Sequence, residues 1–281
     1  MPVEKIDTLV VGGGQAGIAM SEHLSVNGVP HFVLERNRVA ERWRTARWDS
    51  LVMNGPAWHD RFPGLTFTDI DKSVGPDDFP LKDTVADYLV AYAKKIAAPV
   101  RCGVEVLKAE RKVGQCGFRI ETPTGVIEAR NVVAATGAFQ RPIVPAMVPA
   151  ETDVLQMHST AYRNPAQLPD GAVLVVGSGS SGTQIAEELL EAGRKVFLSV
   201  GPHERPPRAY RWRDYCWWLG VLWKVGCGCP GGREGARDDC SERSAWRTHD
   251  RFSPPGHEGD YPGRPHGGLQ QRRNEVCAGP G

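Results

Sequence analysis

The sequence is short of several things at once, and each shortage removes a class of function. It has no run of about 18 apolar residues, so no segment is expected to span a bilayer. Neither sign of charge prevails: 34 Lys and Arg stand against 33 Asp and Glu, which leaves no global attraction for nucleic acid or an acidic membrane surface. The opening residues, Met1-Pro2-Val3-Glu4-Lys5-Ile6-Asp7, carry neither the basic start nor the apolar core of an export signal, and a cytoplasmic protein is expected. Close cysteine pairs are missing from most of the chain. Of seven cysteines only Cys102, Cys116 and Cys216 precede residue 223, so no disulfide framework is expected. The later Cys227-Gly228-Cys229, with Cys240, His249, His257 and His266, fits no common zinc spacing, and no metal is assigned.

What is present is glycine at particular spacings. The apolar strand Leu9-Val10-Val11 runs into Gly12-Gly13-Gly14-Gln15-Ala16-Gly17 and then a helix. Gly12 permits the tight turn, Gly14 removes a side chain where backbone must approach a phosphate, and Gly17 lets the helix pack on its strand. The free N–H groups of the first helical turn then face the anion. About 20 residues on, Glu35 closes the strand His31-Phe32-Val33-Leu34, where an acid accepts a hydrogen bond from a ribose hydroxyl. The pattern returns at Ala172–Val176, followed by Gly177-Ser178-Gly179-Ser180-Ser181-Gly182, a helix from Thr183 to Glu191 ended by Gly193, and a strand from Val196 to Val200.

The two units differ in chemistry at the end of their second strands. Glu35 would repel a 2′-phosphate, whereas Ser199, with His203, Arg205 and Arg208 just beyond, would attract one. The first unit therefore suits FAD and the second NADPH, with a solvated basic turn as the competing reading of Arg205 and Arg208. Between them lies the loop from Arg36 to Gly64, rich in Trp and Arg, read either as a packed surface loop or as a border to the flavin or adenine. A helix is predicted over Thr84–Ile96, capped by Asp83, with Val85, Tyr88, Leu89, Tyr92 and Ile96 on one face. Short strands are predicted at Val104–Leu107, Phe118–Glu121, Val126–Ala129 and Val132–Ala135, the last entering the small turn Ala135-Thr136-Gly137. Prolines from Pro142 to Pro149 mark a domain joint. The expected fold is α/β, with two Rossmann-type βαβ units in three layers: an FAD-binding domain over 1–142, an NADPH-binding domain over 143–222 and an aberrant, low-order tail over 223–281.

With both turns placed, the chain resembles the flavin-containing monooxygenases, in particular their bacterial FAD- and NADPH-dependent oxidoreductase relatives. The resemblance covers residues 1 to about 222 and implies FAD contacts at Gly12, Gly14, Gln15, Ala16, Gly17, Glu35, Arg36, Trp43, Val106, Thr136 and Gly137. It implies NADPH contacts at Gly177, Gly179, Ser180, Gly182, Ser199 and Arg205. His158 and Tyr162 match the end of the family's linker motif, although Thr152 and Val154 stand where its Phe and Gly belong. Tyr162-Arg163 also replaces the Trp-Pro of Baeyer-Villiger relatives. The implied reaction is hydride transfer from NADPH to FAD, then oxygenation of a small soft nucleophile, an amine or sulfide, by O2 through a C4a-hydroperoxyflavin. Asn54 is the implied catalytic residue near the flavin N5, against the competing reading of a buried structural Asn. A flavin reductase or oxidase without oxygen insertion is the alternative enzyme. A disulfide reductase is disfavoured, because residues 30–60 contain no cysteine.

From about Trp223 the chain becomes rich in Gly, Arg, Pro and Cys, and after Lys224 its only large aliphatics are Val225, Leu269 and Val276. Such a segment cannot bury enough apolar surface to offset chain entropy. Cys and Trp in this setting suggest a GC-rich gene read out of frame; codons permitted in the second-base frame between Ala236 and Arg264 include a strand-like run with family-like apolar alternation. The resemblance implies that the chain returns after its NADPH unit to complete the flavin pocket, so a weakly flavinated or inactive product is expected. Sequencing the gene across codons 220–225 tests this: a family-like second-base frame is expected, and an early stop in that frame refutes it.

Overall fold

The computed structural model describes residues 3–146, 148–149, 151–202 and 206–226, with side chains described as far as residue 222. His203, Arg205 and residues 227–281 of the expected tail lie outside the described residues. Strand β1 (Glu4–Val11), helix α1 (Gln15–Val26) and β2 (His31–Glu35) form the first βαβ unit, as the glycine turn predicts. Then come α2 (Glu41–Thr45), α3 (Phe67–Ile70), α4 (Lys82–Lys95), β3 (Val100–Cys102), β4 (Lys108–Arg111), β5 (Phe118–Thr122) and β6 (Gly125–Ala134). The first sheet has the order β3-β2-β1-β6-β5-β4; the first four strands run parallel, β5 runs antiparallel to β6, and β4 antiparallel to β5. The second βαβ unit is β7 (Val173–Val176), α5 (Ser180–Glu191) and β8 (Val196–Ser199), with β7 and β8 parallel. A β9 (Ala209–Tyr210) and β10 (Arg213–Asp214) ribbon leads into α6 (Tyr215–Gly226). Among the described residues no helix is long and apolar enough to cross a membrane.

Register explains the two faces of the first sheet. Leu9 pairs with Phe32 and Val11 with Leu34, so these four share one face, where a core forms with Ile120, Ile127 and Ala129. Val10 and its partner Val33 point the other way and are fully buried, on the side where α1 packs against both strands. A second core joins Ile18 of α1 to Val85, Tyr88, Leu89 and Tyr92 of α4, along the face predicted for that helix.

Several predicted boundaries shift for identifiable reasons. Helix α4 begins two residues before the predicted Thr84, because the Lys82 N–H, an orphan donor at the helix start, finds the Leu51 carbonyl at 2.9 Å. Asp83 is not a cap; its carboxylate lies 3.3 Å from Lys82 Nζ. Residues Val104–Leu107 are not a strand. They cross from the β2 edge to the β5 side, tied only by Val104 N–H to Glu35 O at 3.0 Å and Leu107 N–H to Glu121 O at 2.9 Å, while Val104 and Val106 pack onto the core. The two strands expected across 126–135 are one, β6. The polar Arg130-Asn131 that reads as a turn is laddered against β1, with the Asn131 amide donating to Asp7 and Thr8 side chains. Helix α5 starts at Ser180, not Thr183, since poor helix formers at its first turn hide a start already closed by Thr183 N–H to Gly179 O at 3.0 Å.

Tyr88 anchors the second core. Its ring stacks on Phe67 with centroids 4.1 Å apart, its hydroxyl accepts from Phe62 N–H and donates to Leu65 O at 3.1 Å, and burial pushes its pKa up to about 12. Tyr88→Phe leaves the Phe62 N–H without its partner and is expected to cost about 1–3 kcal/mol in urea unfolding. Unfolded tyrosine loses its proton near pH 10. Folded Tyr88 keeps it to about pH 12, so the wild type should lose stability as pH rises through that window, and Tyr88→Phe should remove this part of the slope.

Candidate functional site

At the end of β1 the chain turns through Gly12, whose φ of +110° excludes most side chains and whose N–H donates to Leu34 O at 2.8 Å. A β-carbon on Gly17 would stand 1.9 Å from the Gly12 carbonyl oxygen, so α1 reaches the strand end only because Gly17 has none. Gly14 differs: a β-carbon there meets no atom within 4 Å. The space over Gly14 is open, which is the cradle a pyrophosphate needs at a helix N-terminus. The second unit repeats this geometry. Gly177 has φ +100° and donates to Ser199 O at 2.9 Å, a Gly182 β-carbon would stand 1.9 Å from the Gly177 oxygen, and Gly179 is open.

A cavity of about 960 Å³ opens over the first turn, at the upper end of the range of roughly 300–1,000 Å³ for ligand pockets. Of the predicted residues, Gly12, Gly14, Gln15, Ala16, Glu35, Arg36, Trp43, Val106, Thr136 and Gly137 line it, and Gly17 lies beneath as packing. Glu35 accepts from Gly13 N–H at 2.7 Å and from Asn37 N–H at 2.9 Å, one bond on each carboxylate oxygen. The carboxylate is thus oriented by the glycine turn and retains lone pairs for a ribose hydroxyl. Arg36, beside it, lies 3.6 Å from Glu105, and Val104 and Val106 add an apolar wall.

The opposite wall contains residues that the sequence reading did not single out. The Arg47 guanidinium sits 5.6 Å from the Trp43 ring centroid and 5.3 Å from that of Phe139, and Arg42 donates to the Phe139 carbonyl at 2.7 Å. Burial, and then the neighbouring Arg42 charge, lowers the Arg47 pKa, although a guanidinium remains a cation at neutral pH. Phe62 completes this wall, held from behind by Tyr92 with centroids 4.6 Å apart. Ala40, at φ +61° and donating its N–H to Gly13 O at 3.1 Å, turns the chain so that α2 borders the cavity. The Trp- and Arg-rich loop is therefore both packed and part of the wall.

Asn54 is exposed and outside the cavity lining; it is not the buried structural Asn of the competing reading. Its carbonyl accepts from Arg208, whose guanidinium also pairs with Asp214 at 2.8 Å and lies 4.5 Å from the Phe79 ring centroid. Arg208 is thus occupied within the protein. Ser180 and Ser199 flank the second glycine turn, Ser180 opening α5 and Ser199 closing β8. Among the described residues no group of three or more His, Cys, Asp or Glu is placed to hold a metal ion.

Residues 9–212 match the profile of the pyridine nucleotide-disulphide oxidoreductases. The "uncharacterized oxidoreductase CzcO-like" of Geobacillus kaustophilus is 39% identical over 224 residues, an alignment that takes 77% of this chain and 62% of that protein. An indole-3-pyruvate monooxygenase, YUCCA1 of Oryza sativa, is 32% identical over 68% of this chain and 47% of its own. Among solved structures, a flavin-containing monooxygenase from Stenotrophomonas maltophilia aligns with TM-score 0.64 and 26% identity, over 79% of this chain and 64% of that one. The chain thus spans about six-tenths of the bacterial proteins it matches.

The two kinds of glycine should separate by mutation. Gly14→Ala, which meets nothing in the protein, is expected to keep urea stability within about 0.5 kcal/mol while weakening FAD binding at least about tenfold. Gly17→Ala, which collides with backbone, is expected to lose about 1–3 kcal/mol of stability itself. Equilibrium unfolding and flavin fluorescence titration measure both.

Proposed function

The chain belongs to the pyridine nucleotide-disulphide oxidoreductase family, within its flavin monooxygenase-like, FAD- and NAD(P)-dependent members, and on that premise we propose that it couples NADPH oxidation to oxygenation of a small soft nucleophile, an amine or sulfide, by O2. The observation that carries this reading is the pair of equivalent glycine turns, each open where a phosphate would lie, of which only the first is backed by a carboxylate.

In this reading residues 1–142 hold FAD and residues 143–222 hold NADPH. The N–H groups at the start of α1 bind the FAD pyrophosphate, Glu35 accepts from the ribose, and Trp43, Arg47, Phe62 and Phe139 shield the cavity from water. At the second turn the N–H groups of α5 take the other pyrophosphate. Ser199 leaves the end of β8 free of the negative charge that would exclude a 2′-phosphate, and Arg205 supplies its positive partner. When bound, FAD supplies the electron acceptance and the oxygen activation that no side chain provides. Asn54 is kept as the candidate for hydrogen-bonding at the reactive edge of the flavin on the family resemblance alone, since its exposed side chain lies outside the cavity lining. The cytoplasm, with its NADPH supply, is the compartment that fits.

A flavin reductase or oxidase is the second reading, favoured by Thr152 and Val154, which depart from the oxygenase linker motif. A dithiol reductase is not favoured, because residues 30–60 offer no cysteine to a flavin. Reconstitution with FAD followed by product analysis under O2 tests the proposal. At most a weak flavin absorbance band is expected, and an oxygenated amine or sulfide formed with it supports the oxygenase reading. Peroxide alone from NADPH selects the oxidase reading, and no retained flavin selects an inactive product. Asn54→Ala is expected to bind FAD like the wild type yet release more hydrogen peroxide per NADPH; unchanged coupling removes Asn54 from the chemistry.

A further inference from the structure

The segment Leu51–Asn54 is held on both edges by different units of the chain. On one edge Val52 forms an antiparallel bridge with Leu81, with Met53 N–H donating to Pro80 O at 2.8 Å and Lys82 N–H to Leu51 O at 2.9 Å. In such a bridge the Val52 N–H and carbonyl point away from Leu81, and a further strand would ordinarily take them. Here a single side chain does. Gln184 Oε1 accepts from Val52 N–H at 3.3 Å, and Gln184 Nε2 donates to Val52 O at 3.2 Å. Only one orientation of the amide satisfies both bonds, and no other side chain of that length carries a donor and an acceptor side by side.

Gln184 sits in the second turn of α5, directly behind the residues whose N–H groups front the second glycine turn. The same segment is also seated by packing. Trp48 and Leu51 are buried in a core with Tyr162, Ile185 and Leu189, the last two from α5. α5 therefore grips the Leu51–Asn54 segment through apolar contact and through one directional pair of hydrogen bonds.

We propose that Gln184 is a positioning residue that couples occupancy of the second glycine turn to the placement of Leu51–Asn54, whose Met53 packs in one core with Ala40, Trp43 and Phe62 of the first cavity's wall. A dinucleotide fixing the first turn of α5 fixes Gln184, and Gln184 fixes the backbone that carries Asn54. By linkage the effect is reciprocal, so each dinucleotide tightens the binding of the other. The inference rests on the dinucleotide reading of the second turn, and its test separates the two.

Amide hydrogen exchange is measured on the full chain with and without NADP⁺, and on Gln184→Met and Gln184→Glu. In the wild type NADP⁺ is expected to slow exchange at residues 177–184 and, through Gln184, at 51–54. Gln184→Met keeps the shape but neither bond and should keep the first protection while losing the second; Gln184→Glu, which keeps the acceptor alone, should retain part of it. FAD affinity should rise about fivefold or more with NADP⁺ in the wild type, and by less than about twofold in Gln184→Met. Protection at 177–184 without protection at 51–54 in the wild type overturns the inference alone. Equal protection at 51–54 in wild type and Gln184→Met also overturns it. No protection at 177–184 refutes the dinucleotide reading and the inference with it. A purely structural role for Gln184 would lower stability in both variants without changing the response to NADP⁺.

Discussion

Everything in this structure follows from how closely a helix can come to the end of the strand before it. At both glycine turns the helix start approaches a carbonyl so nearly that a single β-carbon would overlap it, at 1.9 Å in each case. That approach aims the free N–H groups of the first helical turn into one region of space, where their partial positive charge adds. It also fixes how each helix lies on its strands, and hence which faces of β1, β2, β7 and β8 are left for cores. One missing atom at Gly17 and one at Gly182 let each helix start against the end of its strand.

The first cavity adds a division of labour to that constraint. On its β2 side the chemistry is local: Glu35 is oriented by N–H groups of Gly13 and Asn37, and Val104 and Val106 lie beside it. On the α2 side the wall is assembled from distant chain. Arg42 and Phe139 are 97 residues apart and meet through one hydrogen bond, and Arg47 is sandwiched between Trp43 and Phe139. The aromatic stack of Phe67, Tyr88 and Tyr92 beneath Phe62 means that α4, which lines none of the cavity, still holds one of its surfaces in place.

This division also decides what the sequence discloses. The glycine turns, Glu35 and the strands around them are legible because their meaning is contained in about 20 to 30 consecutive residues. Arg47, Phe62 and Phe139 are not, since each is an unremarkable residue until the fold brings it to the others. Val104–Leu107 has the composition of a strand and the fate of a crossing, because strand formation needs a neighbour and composition names none. Asp83 looks like a cap, but the Val85 N–H it would serve already donates to the Leu81 carbonyl at 3.0 Å, because the helix has begun before it. Asn54 carries no local signal of its surroundings. Its exposure and its carbonyl contact with Arg208 emerge only when both βαβ units are in place.

The bond between Gln184 and Val52 has a bearing on the order in which the protein is made. It joins residues 132 positions apart, and contacts of such separation repay their closure entropy only after the intervening chain has condensed. During synthesis the first glycine turn, β2 and α4 emerge well before α5 exists. The edge of Leu51–Asn54 that Gln184 will occupy therefore stands open, a short unpaired strand edge, until the second unit folds against it. The two units are in this sense made in series, and the last hydrogen bonds to form are those that complete the part made first.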